Sequence, residues 1–297
     1  MERSSKSIKT NIACGEWRCR GPLFKRILLV LDPTRDLAPA RQYTMNMIKK
    51  WNSSVVGLYN FFEQAAPFKA SPGEGVEPIK FVGKEVVKQF EKMLDKVCGP
   101  NVDCTTVIEE GPYELTIPAV AARENADLVV LGSFHSKTGR TLVGSDIERI
   151  IEYCPCSVLI VRSSTSPPEP GSLLAFAHDS GQIPPKAVHW VVKFSQEVGT
   201  VVHPVLGVPP RDLEEGNQMI NSFVAELVGS GVETEPPHVL TSRWILGPHG
   251  VVHRAVAGLH PSIAVLSRFH DVVHGNATHW LVHEFVADTP CPTLILK

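Results

Sequence analysis

No stretch of this 297-residue chain approaches the ~20 consecutive apolar residues that a membrane-crossing helix needs. Its uninterrupted apolar runs are short pieces such as Ile27 to Leu31 and Val158 to Val161, so no bilayer span is expected. Lys6, Lys9, Arg18 and Arg20 near the N-terminus are not followed by the apolar core of about 7 to 15 residues that marks a secretory signal, and a cytoplasmic location is expected. An excess of charge of one sign is missing too. With 29 basic against 31 acidic residues the net charge is −2, which argues against a broad nucleic-acid footprint. Catalytic signatures are equally sparse: there is no H-E-x-x-H, no G-x-S-x-G elbow, and Ser136 stands before Lys137 where a P-loop requires glycine. The pattern does not read as that of an enzyme. Seven cysteines, an odd number, suit free thiols in a reducing compartment better than a disulfide framework.

What is present is the material for two cores. Hydrophobic residues make up 43% and charged residues 20%, close to globular averages, and the length favours two domains over one. An internal repeat supports that division. Gly111-Pro112 opens a helical stretch that leads to Asp127-Leu-Val-Val-Leu-Gly132 and on to Phe134-His135; Gly247-Pro248 opens another that leads to Ile263-Ala-Val-Leu-Ser267 and Phe269-His270. The closing segments, Cys154 to Val161 and Thr289 to Leu296, match at a constant offset of 135 residues. The halves nevertheless differ: 22 basic and 19 acidic residues precede position 163, with 7 and 12 after it. Of 12 histidines only His135 lies in the first half.

Within each half, β-branched runs alternate with helical periodicity, the signature of βαβ units and a mostly parallel sheet with helices on both faces. Five strands are expected in the first half: Ile27 to Leu31, Ser54 to Tyr59, Val102 to Ile108, Leu128 to Leu131 and Ser157 to Val161. Five more follow: Leu173 to Ala177, Val201 to Val208, Val232 to Leu240, Ile263 to Leu266 and Thr293 to Leu296. Ala40, Tyr43, Met47 and Trp51 mark one helix face; Val86, Phe90, Met93, Leu94 and Val97 mark a second; Ile220, Phe223, Val224 and Leu227 mark a third. The division is then 1–22 as an N-terminal tail, 23–163 as the first domain, 164–170 as a Ser/Pro linker that neither packs nor runs as a helix, and 171–297 as the second.

Between the fourth strand and the last helix of the first half runs Gly132-Ser-Phe-His135 through Gly144-Ser145. A glycine-bearing loop that ends at a helix N-terminus offers exposed N–H groups and the positive end of a dipole to phosphate. Ser145 with Glu148 also forms a capping box, a role that would by itself account for the serine.

Together with Asp32 after the first strand, Ala126-Asp-Leu-Val-Val-Leu-Gly-Ser133 and Cys154-Pro-Cys-Ser-Val-Leu-Ile-Val-Arg162, these residues resemble the universal stress protein family, over nearly all of 23–163 and more weakly over 171–297. The resemblance implies an α/β fold of two tandem Rossmann-like domains. Each would be a five-stranded parallel sheet flanked by helices, and the two would pack about a pseudo-twofold axis through their closing strands as an intramolecular pseudo-dimer, with a homodimer open. It also implies ATP as cofactor, bound through a G-x2-G-x9-G-[ST] loop with an aspartate near the adenine. Asp32, Gly132, Gly144 and Ser145 match that pattern. His135 replaces its second glycine, and the spacing to Gly144 is one residue short, so weak or absent ATP binding is expected in the first half. In the second half Ser267 replaces the first glycine, His270 the second, and no Gly-Ser pair opens the helix, so no ATP binding is expected there; Asp179 or His178 takes the place of Asp32.

The resulting expectation is a cytoplasmic stress-response protein that senses adenine nucleotide or another small ligand without turnover, and that engages neither nucleic acid nor membrane. Two alternatives remain: a weak Mg-ATP hydrolase in the first half, or a metal-buffering module using second-half histidines. His249 with His253 and His279 with His283 are spaced i, i+4, with His270 and His274 between, but solvated histidines are the plainer reading and no metal site is assigned. Cys154, Cys156 and Cys291 read as packing residues.

Overall fold

A computed structural model describes residues 22–31, 38–61, 84–132, 144–161, 165–179, 182–241, 247–267, 289 and 291–297. The first half runs β1 (Arg26–Leu31), α1 (Ala38–Trp51), β2 (Ser54–Phe61), α2 (Lys84–Cys98), β3 (Cys104–Glu110), α3 (Tyr113–Arg123), β4 (Leu128–Gly132), α4 (Gly144–Tyr153) and β5 (Ser157–Val161). The second runs β6 (Leu173–Asp179), α5 (Pro185–Val198), β7 (Val201–Val208), α6 (Leu213–Gly229), β8 (His238–Thr241), α7 (Gly247–Leu259), β9 (Ile263–Ser267) and β10 (Thr293–Leu296).

All ten strands share one sheet in the order β3-β2-β1-β4-β5-β10-β9-β6-β7-β8. Read outward from the centre, each half lays its strands down in the same sequence: fifth, fourth, first, second, third. Every neighbouring pair is parallel except β5 with β10, where Thr293 opposes Ile160 and Ile295 opposes Val158 in antiparallel register. Both closing strands are fully buried, as a seam in the middle of a sheet requires. Lys297 fastens its edge by donating from Nζ to the carbonyl oxygens of Glu152, at 3.1 Å, and Cys154.

The helices form where the apolar periodicity puts them. Tyr43, Met47 and Trp51 of α1 are buried, as are Phe90, Leu94 and Val97 of α2 and Ile220, Phe223 and Leu227 of α6. Proline at the start of α5 and Gly199 in the left-handed conformation at its end (φ 82°) set that helix's limits. Gly57 lets α2 lie close on β2: a Cβ there would come within 2.7 Å of both Leu94 methyl carbons.

Three expectations need correction. Edge strands β3 and β8 begin at Cys104 and His238, later than Val102 and Val232, because their half-exposed sequences carry little apolar signal. Segment 165–172 has neither helix nor strand and none of its residues is buried, but it is tied down by hydrogen bonds: Tyr43 Oη donates to the Ser166 carbonyl at 2.6 Å and the Gly171 amide to Gly199 O at 2.7 Å. The expectation of free thiols fails at Cys98 and Cys104, which form a disulfide with Cα atoms 6.4 Å apart; Cys154, Cys156 and Cys291 are buried and outside any disulfide.

An aromatic cluster joins the halves beside the seam. Trp51 lies 5.9 Å from Phe24 and 6.2 Å from Phe194, Phe24 lies 6.1 Å from Trp190, and Trp190 stacks on Phe194 at 4.7 Å. All four rings are buried.

Candidate functional site

In the first half β1 lies between β2 and β4, and the connections leave β1 and β4 in opposite directions across the sheet. The crevice beyond the carboxyl ends of β1 and β4 is therefore a topological switch point, where ligands of open α/β sheets bind. Pairing of Val30 with Leu131 brings the two strand ends level. Gly132 is the last residue of β4, paired with Val161 of β5. Gly144 and Ser145 are the first two residues of α4, whose buried Ile147, Ile150 and Ile151 pin it to the sheet with its N-terminus at this same edge. Arg149 of α4 bridges to Glu114 of α3 at 3.8 Å. Gly132, Gly144 and Ser145 are thus gathered at one end of the sheet; Asp32 and His135 lie outside the described residues.

One residue at this edge escaped the sequence reading. Asn60 follows Tyr59, which pairs with Leu31 at the end of β1, so it stands alongside that end. Its side chain is 2% exposed, and neither its amide oxygen nor its amide nitrogen has a hydrogen-bond partner among the described residues. Alternation places it opposite Gly57 and Tyr59, which meet Leu94 and Phe90 of α2, and hence on the face covered by α3 and α4. The available signal was a polar residue interrupting the apolar alternation of β2.

The other polar groups near β1 and β4 are structural. Asp127, at the amino end of β4, accepts from the amides of Lys25 (2.7 Å) and Arg26 (3.2 Å). Burial raises its pKa, a trend those two hydrogen bonds oppose. Arg26 also meets Glu124 at 2.9 Å.

In the second half β6 and β9 form the matching switch point. Ala177 pairs with Leu266 as Val30 pairs with Leu131, so Ser267 holds the place of Gly132, His178 that of Leu31, and Asp179 that of Asp32. The Ser267 hydroxyl is fully buried and without a partner among the described residues. Among the described residues no group of three or more His, Cys, Asp or Glu is placed to hold a metal. His253 lies in α7, whereas His270, His274, His279 and His283 fall outside the described residues. No helix among the described residues is long and apolar enough to cross a membrane.

Comparison with known proteins agrees with this architecture. The model of the universal stress protein family matches residues 23–162. A universal stress protein of Methanocaldococcus jannaschii is 31% identical over 147 residues, which is 47% of this chain and 83% of that protein. One from Methanothermobacter thermautotrophicus is 30% identical over 125 residues, 41% of this chain and 85% of that protein. Among solved structures, a universal stress protein of Archaeoglobus fulgidus superposes with a TM-score of 0.60 at 14% identity, covering 93% of this chain and 96% of the other. A Pseudomonas aeruginosa protein of unknown function does so at 0.57 and 16%, covering 92% of each. These two similarities bear on the fold, and they extend it over both halves of the ten-stranded sheet. The sequence relatives bear on kinship, and with them the chain belongs to the universal stress protein family.

Proposed function

We propose that the first half binds an adenine nucleotide at the β1/β4 switch point and that the chain is a nucleotide-responsive module of the stress response. The observation that carries this reading is Asn60. A buried amide left without partners costs about 1 to 3 kcal/mol, and a nucleobase edge carrying one donor and one acceptor would satisfy both of its atoms. The N–H groups of Gly144 and Ser145 and the dipole of α4 would face the phosphates, each charge gaining about 0.3 to 1 kcal/mol in exposed settings. Asp32 would lie by the base, with Gly132 and His135 at the loop.

Two features weaken that site. In the sequence His135 replaces the glycine that lets backbone approach phosphate, and Asp146 and Glu148 add two carboxylates to the first turn of α4. Binding of ATP is therefore weak. The second half, with Ser267 in place of Gly132, holds none. On this reading 23–163 and 171–297 are two domains joined by 164–170, related by a pseudo-twofold axis at the β5/β10 seam, in a cytoplasmic protein.

Calorimetry of the full chain with Mg-ATP tests the proposal. The expected result is one weak site per chain, weakened further in Ser145→Ala and strengthened in His135→Gly. Two sites, or no heat at millimolar nucleotide, would overturn it. Phosphate release followed in the same samples separates sensing from turnover.

A further inference from the structure

Histidines replace apolar residues at three matching positions of the second half. Val205 lies between Ala177 and His238 as Leu58 lies between Val30 and Val107, so His238 stands where the first half has Val107, and His203 where it has Val56. Aligning Gly247-Pro248 with Gly111-Pro112 sets His253 at the place of Ile117. Val56 and Ile117 are fully buried.

The three histidines belong to one layer. Leu206, Val208 and Val239 pack with Ile220 of α6, and a Cβ on Gly216 of that helix would lie 2.9 Å from Val208. Alternation turns His203 and His238 to the opposite face. The return connection from β8 to β9 puts α7 on that face, where it packs on β6 and β7 with His253 buried on its inward side. His203 is 6% exposed; its ring centroid lies 4.7 Å from that of His238 at 73°, and its Nε2 meets no hydrogen-bond partner among the described residues. From β6 its neighbour is Ala175 and from β8 His238, and α7, which carries His253, packs on the same face. The acid acting on it is Glu235, in the chain leading into β8, whose amide bonds to the Val202 carbonyl at 2.8 Å.

We propose that His203, stacked edge-on with His238 under α7, is the sensor of a pH-sensitive clasp, which packs β8 and α7 onto β7 while His203 is neutral and loosens them when it is protonated. An imidazolium at His203 would be buried, without an acceptor for Nε2 among the described residues, and beside His238, with Glu235 as the compensating charge. Burial first, and His238 second, hold the pKa of His203 below the ordinary histidine value, against the pull of Glu235. The sign follows. With the folded value depressed, the folded state binds fewer protons than the unfolded one, so stability is complete above about pH 6.5 and declines as the pH falls below it. The opening is local because β8 has four residues, lies at the sheet's edge and pairs with β7 alone.

Hydrogen exchange of the full chain at pH 7.5 and 5.5, corrected for intrinsic exchange rates, tests this. Protection of β8 and α7 is expected to fall by at least about fivefold at the lower pH. The matching β3 and α3 of the first half, with Val107 and Ile117, serve as the internal comparison and should change less than about twofold. The double variant His203→Val, His238→Val, which installs the first-half residues, is expected to lose the response. An unchanged wild type, or a response retained in the double variant, overturns the proposal. Should that variant fail to fold, NMR titration of the wild-type rings decides: the His203 ring must titrate below the ordinary value in step with broadening of the β8 amides. A normal midpoint with those amides unmoved overturns it.

Discussion

The indole N–H of Trp51, the last residue of α1, donates a hydrogen bond to the Glu197 carboxylate near the end of α5, across the boundary between the two halves. The bond lies beside the packed rings of Phe24, Trp190 and Phe194, so one residue contributes both apolar area and a polar anchor to the same junction. Trp51→Ala is expected to cost about 3 to 5 kcal/mol, as for deletion of a large buried side chain. Trp51→Phe, which keeps a ring but loses the donor, should cost about 1 kcal/mol. Guanidinium unfolding followed by circular dichroism measures both. Equal losses in the two variants would show that the hydrogen bond, not the packing, dominates the contact.

The Cys98–Cys104 bridge ties the last residue of α2 to the first of edge strand β3. It closes a short loop, for which chain entropy gives about 2 kcal/mol of stabilisation. Reduction by a phosphine is expected to lower the unfolding free energy by that amount, and the double variant Cys98→Ala, Cys104→Ala should match the reduced protein and no longer respond to reductant. A reductant effect that survives in the variant would have to arise elsewhere in the chain.

Cys154 and Cys156 flank the entry to β5, and burial is the main reason their thiols are pushed up, to about 12 and about 11. Cys156 adds to the rise at Cys154 and Asp127 to that at Cys156, while Lys297 opposes both. Because the thiolate is the reactive form, both should resist iodoacetamide at pH 7.5 in the native protein and react fully in guanidinium. Peptide mass mapping of the two samples checks this; native labelling at either position would mean that the β5 entry opens.

Much of this was legible in the sequence. Apolar β-branched runs bounded by glycine, proline and polar residues marked all ten strands, and the repeated Pro-Cys closing segments pointed to the strands that pair at the seam. The edge strands were misplaced by two residues or more because half-exposed strands such as β3 lack a sharp alternation. Contacts across about 140 residues, such as Trp51 with Phe194, leave no local pattern to read. Whether His178 or Asp179 corresponds to Asp32 depended on a one-residue gap, and only strand register resolves it, because Ala177 pairs with Leu266. Asn60 is illegible for a similar reason: its meaning comes from having no hydrogen-bond partner among the described residues, a property of the folded chain.

That missing partner yields the most discriminating test of the nucleotide reading. Asn60→Leu keeps the branched shape and heavy-atom count and removes the amide that lacks partners among the described residues, so without ligand the variant is expected to be more stable than the wild type by about 1 kcal/mol. With nucleotide the order of response reverses. A ligand at a hundred times its Kd stabilises the native state by about 2.7 kcal/mol, and the variant, which offers no hydrogen bonds to the base, should gain markedly less. AMP and ATP share the base and differ in phosphate, so Asn60→Leu should reduce the response to both, whereas Ser145→Ala should reduce that to ATP more. Thermal unfolding with and without each nucleotide supplies all of these comparisons. Destabilisation of the unliganded Asn60→Leu protein would mean that the amide is already satisfied by residues of the chain, and that its role is structural. Greater stability with an undiminished nucleotide response would place the base elsewhere and leave the phosphate end of the crevice as the only part of the site in use.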